Sequence, residues 1–271
     1  MDEDLARAHA FARRMRSRLC TDALPFPGGV AYLDRDFPLR YDSNLLWVED
    51  PADEPAGRWV EEAERVLGLR GYRHRRVVMP DLVAAERLAQ GFVALGWEAD
   101  GAVLLIQGGE PDRPPGPVAV EELSYEEVRP LLEQVTRNEA RAHDEETVRM
   151  LTDYRGKLAD TIGARFFAAR LDGRLAGCCE LYVDGDEAQI ESVETLEAFR
   201  GRGLARAYVL AAAEAGREAG ADWIHLWADT DDWPRQWYGR LGFAEAGRAL
   251  DFARLPKDEA AAMKAAKSPE A

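Results

Sequence analysis

Ala188-Gln189-Ile190-Glu191-Ser192-Val193-Glu194-Thr195, then Leu196-Glu197-Ala198-Phe199, then Arg200-Gly201-Arg202-Gly203-Leu204-Ala205 with an Ala-rich run to Glu218: the stretch reads as strand, glycine-rich turn and helix. Gly201 and Gly203 let the backbone turn tightly and approach a ligand with no Cβ in the way. The helix behind them points its unpaired N–H groups and positive dipole end into the turn. Such a turn suits a pyrophosphate, and Arg200 and Arg202 add positive charge. It matches neither the longer Walker loop nor the glycine spacing of a dinucleotide-binding turn, and a turn this short also has a purely structural reading.

Outward from the turn, Gly220 stops the helix, Trp223 to Ala228 reads as the next strand, and a short helix closes at Leu241-Gly242-Phe243 before a last strand from Ala244 to Phe252. Upstream, Arg165 to Arg170 and Leu175 to Val183 are strands joined at Asp172-Gly173, a hairpin signal. Helical spacing predicts helices from Tyr125 to about Asn138 and from about Asp144 to Ile162. Gly and Pro crowd residues 108–117, which marks a linker before a strand at Val118-Ala119-Val120. The first half then echoes the second: strand Ser43 to Val48, helix Arg58 to Leu67, strand Arg75 to Met79, helix Glu86 to Leu95, strand Val103 to Gln107. Gln90 to Trp97 aligns with Gln236 to Phe243 through a shared Gln and a shared Leu-Gly-aromatic ending, which suggests a duplication. The first copy has no glycine-rich turn after its first strand, and Phe92 stands where the second has Tyr238.

Composition bounds the function. With 271 residues, 46% hydrophobic and 31% charged, the chain can build two globular units, and no run of about 18 apolar residues predicts a membrane span. The N-terminus lacks a signal-peptide pattern, so a cytoplasmic location without membrane association is expected. A net charge of −15 disfavours nucleic acid and favours a cationic small-molecule or peptide partner. The basic run Arg73-His74-Arg75-Arg76 reads as a solvated strand edge or a partner contact. Cys20, Cys178 and Cys179 have no ligand spacing, the four histidines form no cluster, and no metal is expected.

In this context Arg200, Gly203 and Ala205 resemble the acetyl-CoA motif of the GNAT acetyltransferase superfamily: Gln or Arg, two residues, Gly, one residue, Gly or Ala. Tyr238-Gly239-Arg240-Leu241-Gly242-Phe243 is similar to the family's Tyr-x-x-x-Gly-Phe ending, and the resemblance spans about residues 117–256. It implies an α/β fold with a mixed sheet in two tandem modules. The expected divisions are a degenerate module at 1–110 without a phosphate loop, a linker at 111–117, an acetyltransferase domain at 118–256 and a tail at 257–271. It also implies acetyl-CoA as co-substrate, its pantetheine arm between two parting strands. The backbone of Val193 and Thr195 would hold that arm, and N–H groups of about Phe199 and of Gly201, Arg202, Gly203, Leu204 and Ala205 the phosphates.

An alkylammonium acceptor has a pKa near ~10, so a base must take its proton before the nitrogen can attack. Glu191 lies where several family members place such a glutamate, with Glu194 and Glu187 as alternatives, because one residue of register turns a side chain to the other face. Tyr238 resembles the family's general acid for the departing thiolate; packing against the cofactor arm is its other reading. Two positions depart from the pattern: Asp231 and Pro234 stand where the family often has Asn and Ala, which puts the usual Asn contact to pantetheine in doubt. Asp232-Trp233-Pro234 still reads as a helix start. Trp233, Trp237 and His225 read first as packing residues, and an acyl-enzyme on Cys178 or Cys179 is rejected because no base stands beside them. Asp229, Asp231, Asp232, Glu145 and Glu146 form either a negative rim for a cationic amine or a solvated loop. The leading expectation is an amine N-acetyltransferase working by direct attack. Its competitor is an acyl-CoA-binding sensor or scaffold that has lost turnover. The first half is expected to shield the acceptor cleft or to mediate homodimerisation.

Overall fold

The computed structural model describes residues 3–138, 144–230, 234–257 and 259–260. Helix α1 (Glu3–Leu19) leads into β1 (Asp22–Phe26), β2 (Gly29–Leu33), β3 (Leu45–Val48), α2 (Ala56–Val66), β4 (Arg75–Val78), α3 (Leu82–Ala94) and β5 (Glu98–Gln107). There follow β6 (Val120–Leu123), α4 (Tyr125–Arg137), α5 (Glu145–Ile162), β7 (Arg165–Leu171), β8 (Arg174–Asp184), β9 (Glu187–Thr195), α6 (Leu204–Glu218), β10 (Trp223–Asp229), α7 (Pro234–Gly239) and β11 (Phe243–Arg254).

Local chemistry explains most boundaries. Asp172 and Gly173 both take positive φ, 51° and 78°, as a tight hairpin between β7 and β8 requires. Ser124 and Glu127 form a reciprocal capping box at the start of α4. At the far end of α6, Ala221 N–H bonds Gly216 O and Gly220 N–H bonds Arg217 O, with Gly220 left-handed at φ 98°, which halts the helix. Helix α3 begins earlier than the expected Glu86, because the Asp81 carboxylate accepts from Val83 N and Ala84 N and caps it there. The β1–β2 hairpin has no counterpart among the expected elements; Pro27-Gly28, with Gly28 at φ 101°, is the turn signal that marks it.

The described residues fall into two compact units interleaved along the chain. One takes residues within 1–102, 139–151 and 248–271; the other takes those within 103–138 and 152–247. In the first, the strand order is β1-β2-β3-β4-β11, with β3 and β4 parallel (Leu46 opposite Val77) and β11 antiparallel to β4 (Phe252 opposite Val77). Its core joins Trp59 and Val66 of α2, Leu88 and Phe92 of α3, and Leu46, Val77 and Phe252 of the sheet. In the second, the order is β5-β10-β9-β8-β7-β6, with β9 and β10 parallel and β9, β8, β7 and β6 antiparallel in turn. Tyr208, Val209, Ala212 and Ala213 of α6 cover one sheet face with Ile190, Cys179 and Leu226. Val128, Leu131 and Leu132 of α4 cover the other with Phe166, Ala168 and Cys178. Each unit therefore takes one strand end from the opposite half of the sequence: β11 beside β4, and β5 beside β10.

Within the basic run Arg73 to Arg76, Arg73 is exposed, but β4 lies between β3 and β11 and is not an edge strand. His74 is fully buried, its Nε2 2.7 Å from Asn44 O and its ring stacked on Tyr41 at 4.0 Å. Burial drives its pKa down to about 4. Arg73 pairs with Glu259 at 3.0 Å, Arg75 with Glu64 at 2.7 Å, and Arg76 with Asp42 and Asp251 at 3.1 Å each. The carboxylates come from distant points of the sequence, so a local charge pattern could not reveal them.

Phe92 and Phe252 stack at 4.0 Å with both rings fully buried. Phe252→Ala should therefore destabilise the first unit by about 3–5 kcal/mol, although the residue lies in the last strand of the chain. Urea unfolding followed by tryptophan fluorescence, with Trp47, Trp59 and Trp97 all in that unit, measures it; a loss below about 1 kcal/mol would show that β11 is dispensable there.

Candidate functional site

The register of β9 and β10 pairs Trp223 with Glu187, Ile224 with Ala188 and His225 with Gln189. Beyond these pairs β9 runs on to Thr195 and β10 to Asp229 outside that register, which opens a gap between two parallel strands. On its other side β9 keeps its partner β8 through an irregularity: Glu180 faces Glu191 and Cys178 faces Glu194, so one extra residue lies on β9 between them. Ser192 absorbs it with φ 51°, a bulge that bends the strand.

The chain then passes a single turn at Glu197–Phe199 and enters the glycine loop. Gly201 and Gly203 take φ 74° and 79°, and a Cβ at either would meet no heavy atom within 4 Å. Space over the loop is open. Gly203 is the N-cap of α6 and provides no side-chain cap, so the first N–H groups of that helix, including those of Leu204 and Ala205, face the loop. The Phe199 N–H, by contrast, is taken up by Leu196 O at 2.8 Å. Arg200 and Arg202 are exposed, and Arg200 Nε donates to Thr195 O at 3.3 Å. A left-handed loop, an uncapped helix start and a parted strand pair form a cradle that fits a pyrophosphate with an extended arm.

The bulge decides which way each side chain points. Val193 and Thr195 lie on the α6 face: Val193 packs against that core, and Thr195 Oγ1 is 2.6 Å from Tyr208 Oη. The Tyr208 hydroxyl also donates to Glu194 O at 2.8 Å, so α6 holds the end of β9 from below. Sequence reading missed this lock; its signal is a tyrosine buried in an otherwise small-residue helix face. Glu191 lies on the opposite face, across from Glu180, with its Oε1 accepting from the Gln189 amide. Glu194 shares that face, opposite Cys178, and Arg155 Nη2 stands 3.3 Å from its Oε1. Glu187 sits at the paired end, opposite Trp223 and buried, away from the gap.

Tyr238 belongs to the α6-side core, only 7% exposed, with its ring 5.8 Å from Phe243 and 4.9 Å from Trp237. Glu191 and Tyr238 thus come from different sides of the sheet. His225 is fully buried with its ring 4.4 Å from Trp223, a packing position. Asp229 is exposed at the end of β10, and Glu145 and Glu146 are exposed at the start of α5, in the other unit. Asp231, Asp232 and Trp233 lie outside the described residues. Among the described residues no group of His, Cys, Asp and Glu could hold a metal, and no helix is long and apolar enough to cross a membrane.

A mixed sheet whose two central parallel strands part above a glycine turn and a helix start defines the class of acyl-CoA N-acyltransferase folds. Residues 126–243 match the sequence model of the acetyltransferase (GNAT) family. No curated protein matches it in sequence. Among solved structures it is similar to a functionally unknown conserved protein from Staphylococcus epidermidis ATCC 12228 (TM-score 0.64, 17% identity, 86% of this chain and 93% of that one). It is also similar to a GCN5-related N-acetyltransferase from Kribbella flavida (TM-score 0.64, 16% identity, 93% and 97%). A third likeness is to a GCN5-related N-acetyltransferase from Sphaerobacter thermophilus (TM-score 0.51, 15% identity, 73% and 64%). At these identities the likeness is one of fold.

Burial, then the neighbouring Glu194, pushes the Cys178 thiol up to about 12 against the opposing Arg155, and burial raises Cys179 well above the usual thiol value. Both thiols stay protonated at pH 8, and both side chains are buried, which speaks against either as a nucleophile. Iodoacetamide at that pH should modify the half-buried Cys20 and leave Cys178 and Cys179 untouched until denaturant is added. Peptide mass spectrometry reads the result, and rapid labelling of Cys178 in the folded chain would contradict it.

Proposed function

We propose that this protein transfers an acetyl group from acetyl-CoA to an amine by direct attack. The parting of β9 from β10 above the Gly201–Gly203 loop is the observation that carries the reading. The N–H groups of Gly201, Arg202, Gly203, Leu204 and Ala205 would hold the pyrophosphate, with Arg200 and Arg202 at its edge, and the backbone of Val193 and Thr195 would hold the pantetheine arm. When bound, acetyl-CoA supplies an activated thioester. Glu191 takes a proton from the acceptor ammonium, directly or through a water. The freed nitrogen would bond to the acyl carbon as the carbon–sulfur bond breaks; Tyr238 would give its proton to the departing sulfur, and the second proton that the nitrogen sheds on becoming an amide would pass through water to restore the Tyr238 hydroxyl.

The acceptor is an amine of a small molecule or peptide, and its positive charge is favoured twice: by the net charge of −15 and by the carboxylates Glu191 and Glu194 on the α5 side of the sheet. The first half reads as an eroded copy. Its parallel strands β3 and β4 flank α2 as β9 and β10 flank α6, and Phe92 packs on Trp97, five residues on, as Tyr238 packs on Phe243 (5.3 Å against 5.8 Å). Where the second copy has glycines the first has Glu49-Asp50-Pro51-Ala52-Asp53-Glu54, whose four carboxylates oppose a phosphate. One acetyl-CoA site per chain follows from that difference.

Gly203→Glu puts a side chain and a negative charge into the loop at a left-handed φ, at a strain of about 1–2 kcal/mol. Calorimetry should show acetyl-CoA affinity lost while far-UV circular dichroism stays that of the parent, and retained affinity would refute the loop's role. Tyr238→Phe should reduce kcat by about 10²–10⁴ with little change in acetyl-CoA affinity. A steady-state assay with a panel of amines measures it, and full activity would remove Tyr238 as the acid.

A further inference from the structure

On the sheet face away from α6, one arginine sits among carboxylates. The Arg155 side chain of α5 is 8% exposed and that of Glu180 on β8 is 0% exposed, and the two form an ion pair. Arg155 Nη2 lies 3.3 Å from Glu194 Oε1. The Tyr182 hydroxyl donates to Glu180 Oε2, the oxygen that Arg155 does not hold. Directly across the ladder stands Glu191, bonded to the Gln189 amide.

Opposed residues of an antiparallel pair have Cβ atoms about 4.5–5.5 Å apart, and like charges there repel. Two carboxylates that close share a proton unless a cation intervenes. A carboxylate as deeply buried as Glu180 would take that proton if left without a counter-charge. Arg155 supplies the charge, and Tyr182 supplies a hydrogen bond to the second oxygen.

We propose that Arg155 is a positioning residue for the transfer reaction: it keeps Glu180 as a carboxylate with its oxygens occupied, so that Glu191 opposite is the group that accepts the acceptor's proton. The proposal rests on the acetyl-transfer reading of the site. The groups that face Glu191 are Glu180, Tyr182 and Cys178 of β8, Arg155 of α5, Glu187 and Glu194 of its own strand, and His225 of β10 opposite Gln189. Helix α4 meets this face with Val128, Leu131 and Leu132, which carry no charge.

The test is the pH dependence of kcat/KM for the amine acetylated fastest by the parent protein. Arg155→Gln removes a positive charge beside Glu191, so the acid limb should move to higher pH by about one unit. Glu180→Gln removes a negative charge and should move the limb to lower pH. Arg155→Lys keeps the charge and should bring the limb back towards the parent position, as should the doubly neutral Arg155→Gln/Glu180→Gln variant. Should Arg155→Gln not fold, as judged by circular dichroism, the Lys, Glu180→Gln and double variants carry the comparison. A limb that stays in place in every folded variant while kcat alone falls would reduce Arg155 to a structural ion pair and overturn the proposal. A second readout needs no turnover: carbon-13 NMR titration of the glutamate carboxyls, with Glu191 assigned by its loss in Glu191→Gln, should show the same directions. If no amine is acetylated at all, the transfer reading falls. The NMR titration then still decides on Arg155, and an unmoved Glu191 carboxyl overturns its role.

Discussion

The interruption of pairing between β9 and β10 after Gln189 and His225 is the constraint on which the second unit depends. A parallel strand pair normally satisfies its backbone groups along its length, and parting it leaves donors and acceptors to be met by something else. The bulge at Ser192 bends β9 while β9 keeps its ladder to β8, at a backbone cost of about 1–2 kcal/mol for a non-glycine left-handed residue. The Tyr208 hydroxyl offsets part of that cost by bonding both Thr195 and Glu194 O. Each such bond is worth about 0.5–1.5 kcal/mol. A gap with backbone groups along its edge, ended by a glycine loop, follows from this one departure from regular pairing.

The second organising feature is the exchange of strand ends. Unit one takes β11 beside β4, and unit two takes β5 beside β10. Neither sheet is complete until segments far apart in sequence have met, which adds long-range closure to the folding problem. Phe252 shows the stake: it lies fully buried against Phe92, some 160 residues earlier in the chain. Asp112 does similar work inside the second unit, its carboxylate 2.6 Å from the buried Arg206 of α6, which ties the Pro-rich segment after β5 to that helix.

Charge is arranged with the same economy. The chain is strongly acidic, yet arginines stand against several buried carboxylates: Arg58 and Arg65 on Glu62, Arg155 on Glu180, Arg73 on Glu259. A buried carboxylate left alone would take a proton or move out. The acids of β8 and β9 can therefore lie side by side because an arginine from a neighbouring helix stands among them.

Sequence by itself determined the elements whose signals are local. Helix α6 has the expected bounds, Leu204 to Glu218, because Gly203 begins it and Gly220 ends it. The Asp172-Gly173 hairpin and the order of strand, loop and helix around Gly201 and Gly203 are legible for the same reason: glycine and turn residues act through their own φ angles. The β1–β2 hairpin escaped, since Pro27-Gly28 is a brief signal beside short strands, and the Asp81 cap was hidden because a lone aspartate is also a surface residue. Tertiary structure alone decided which face each side chain of β9 occupies. One inserted residue at Ser192 puts Glu191 and Glu194, three apart, on the same face, against the alternation that a strand pattern implies. It also decided that His74 is turned inward, that Arg75 and Arg76 are drawn into ion pairs beside it, and that the last described strand completes the first unit. Those outcomes depend on partners supplied from distant segments, and a pattern read along one chain carries no record of which distant residue will stand opposite.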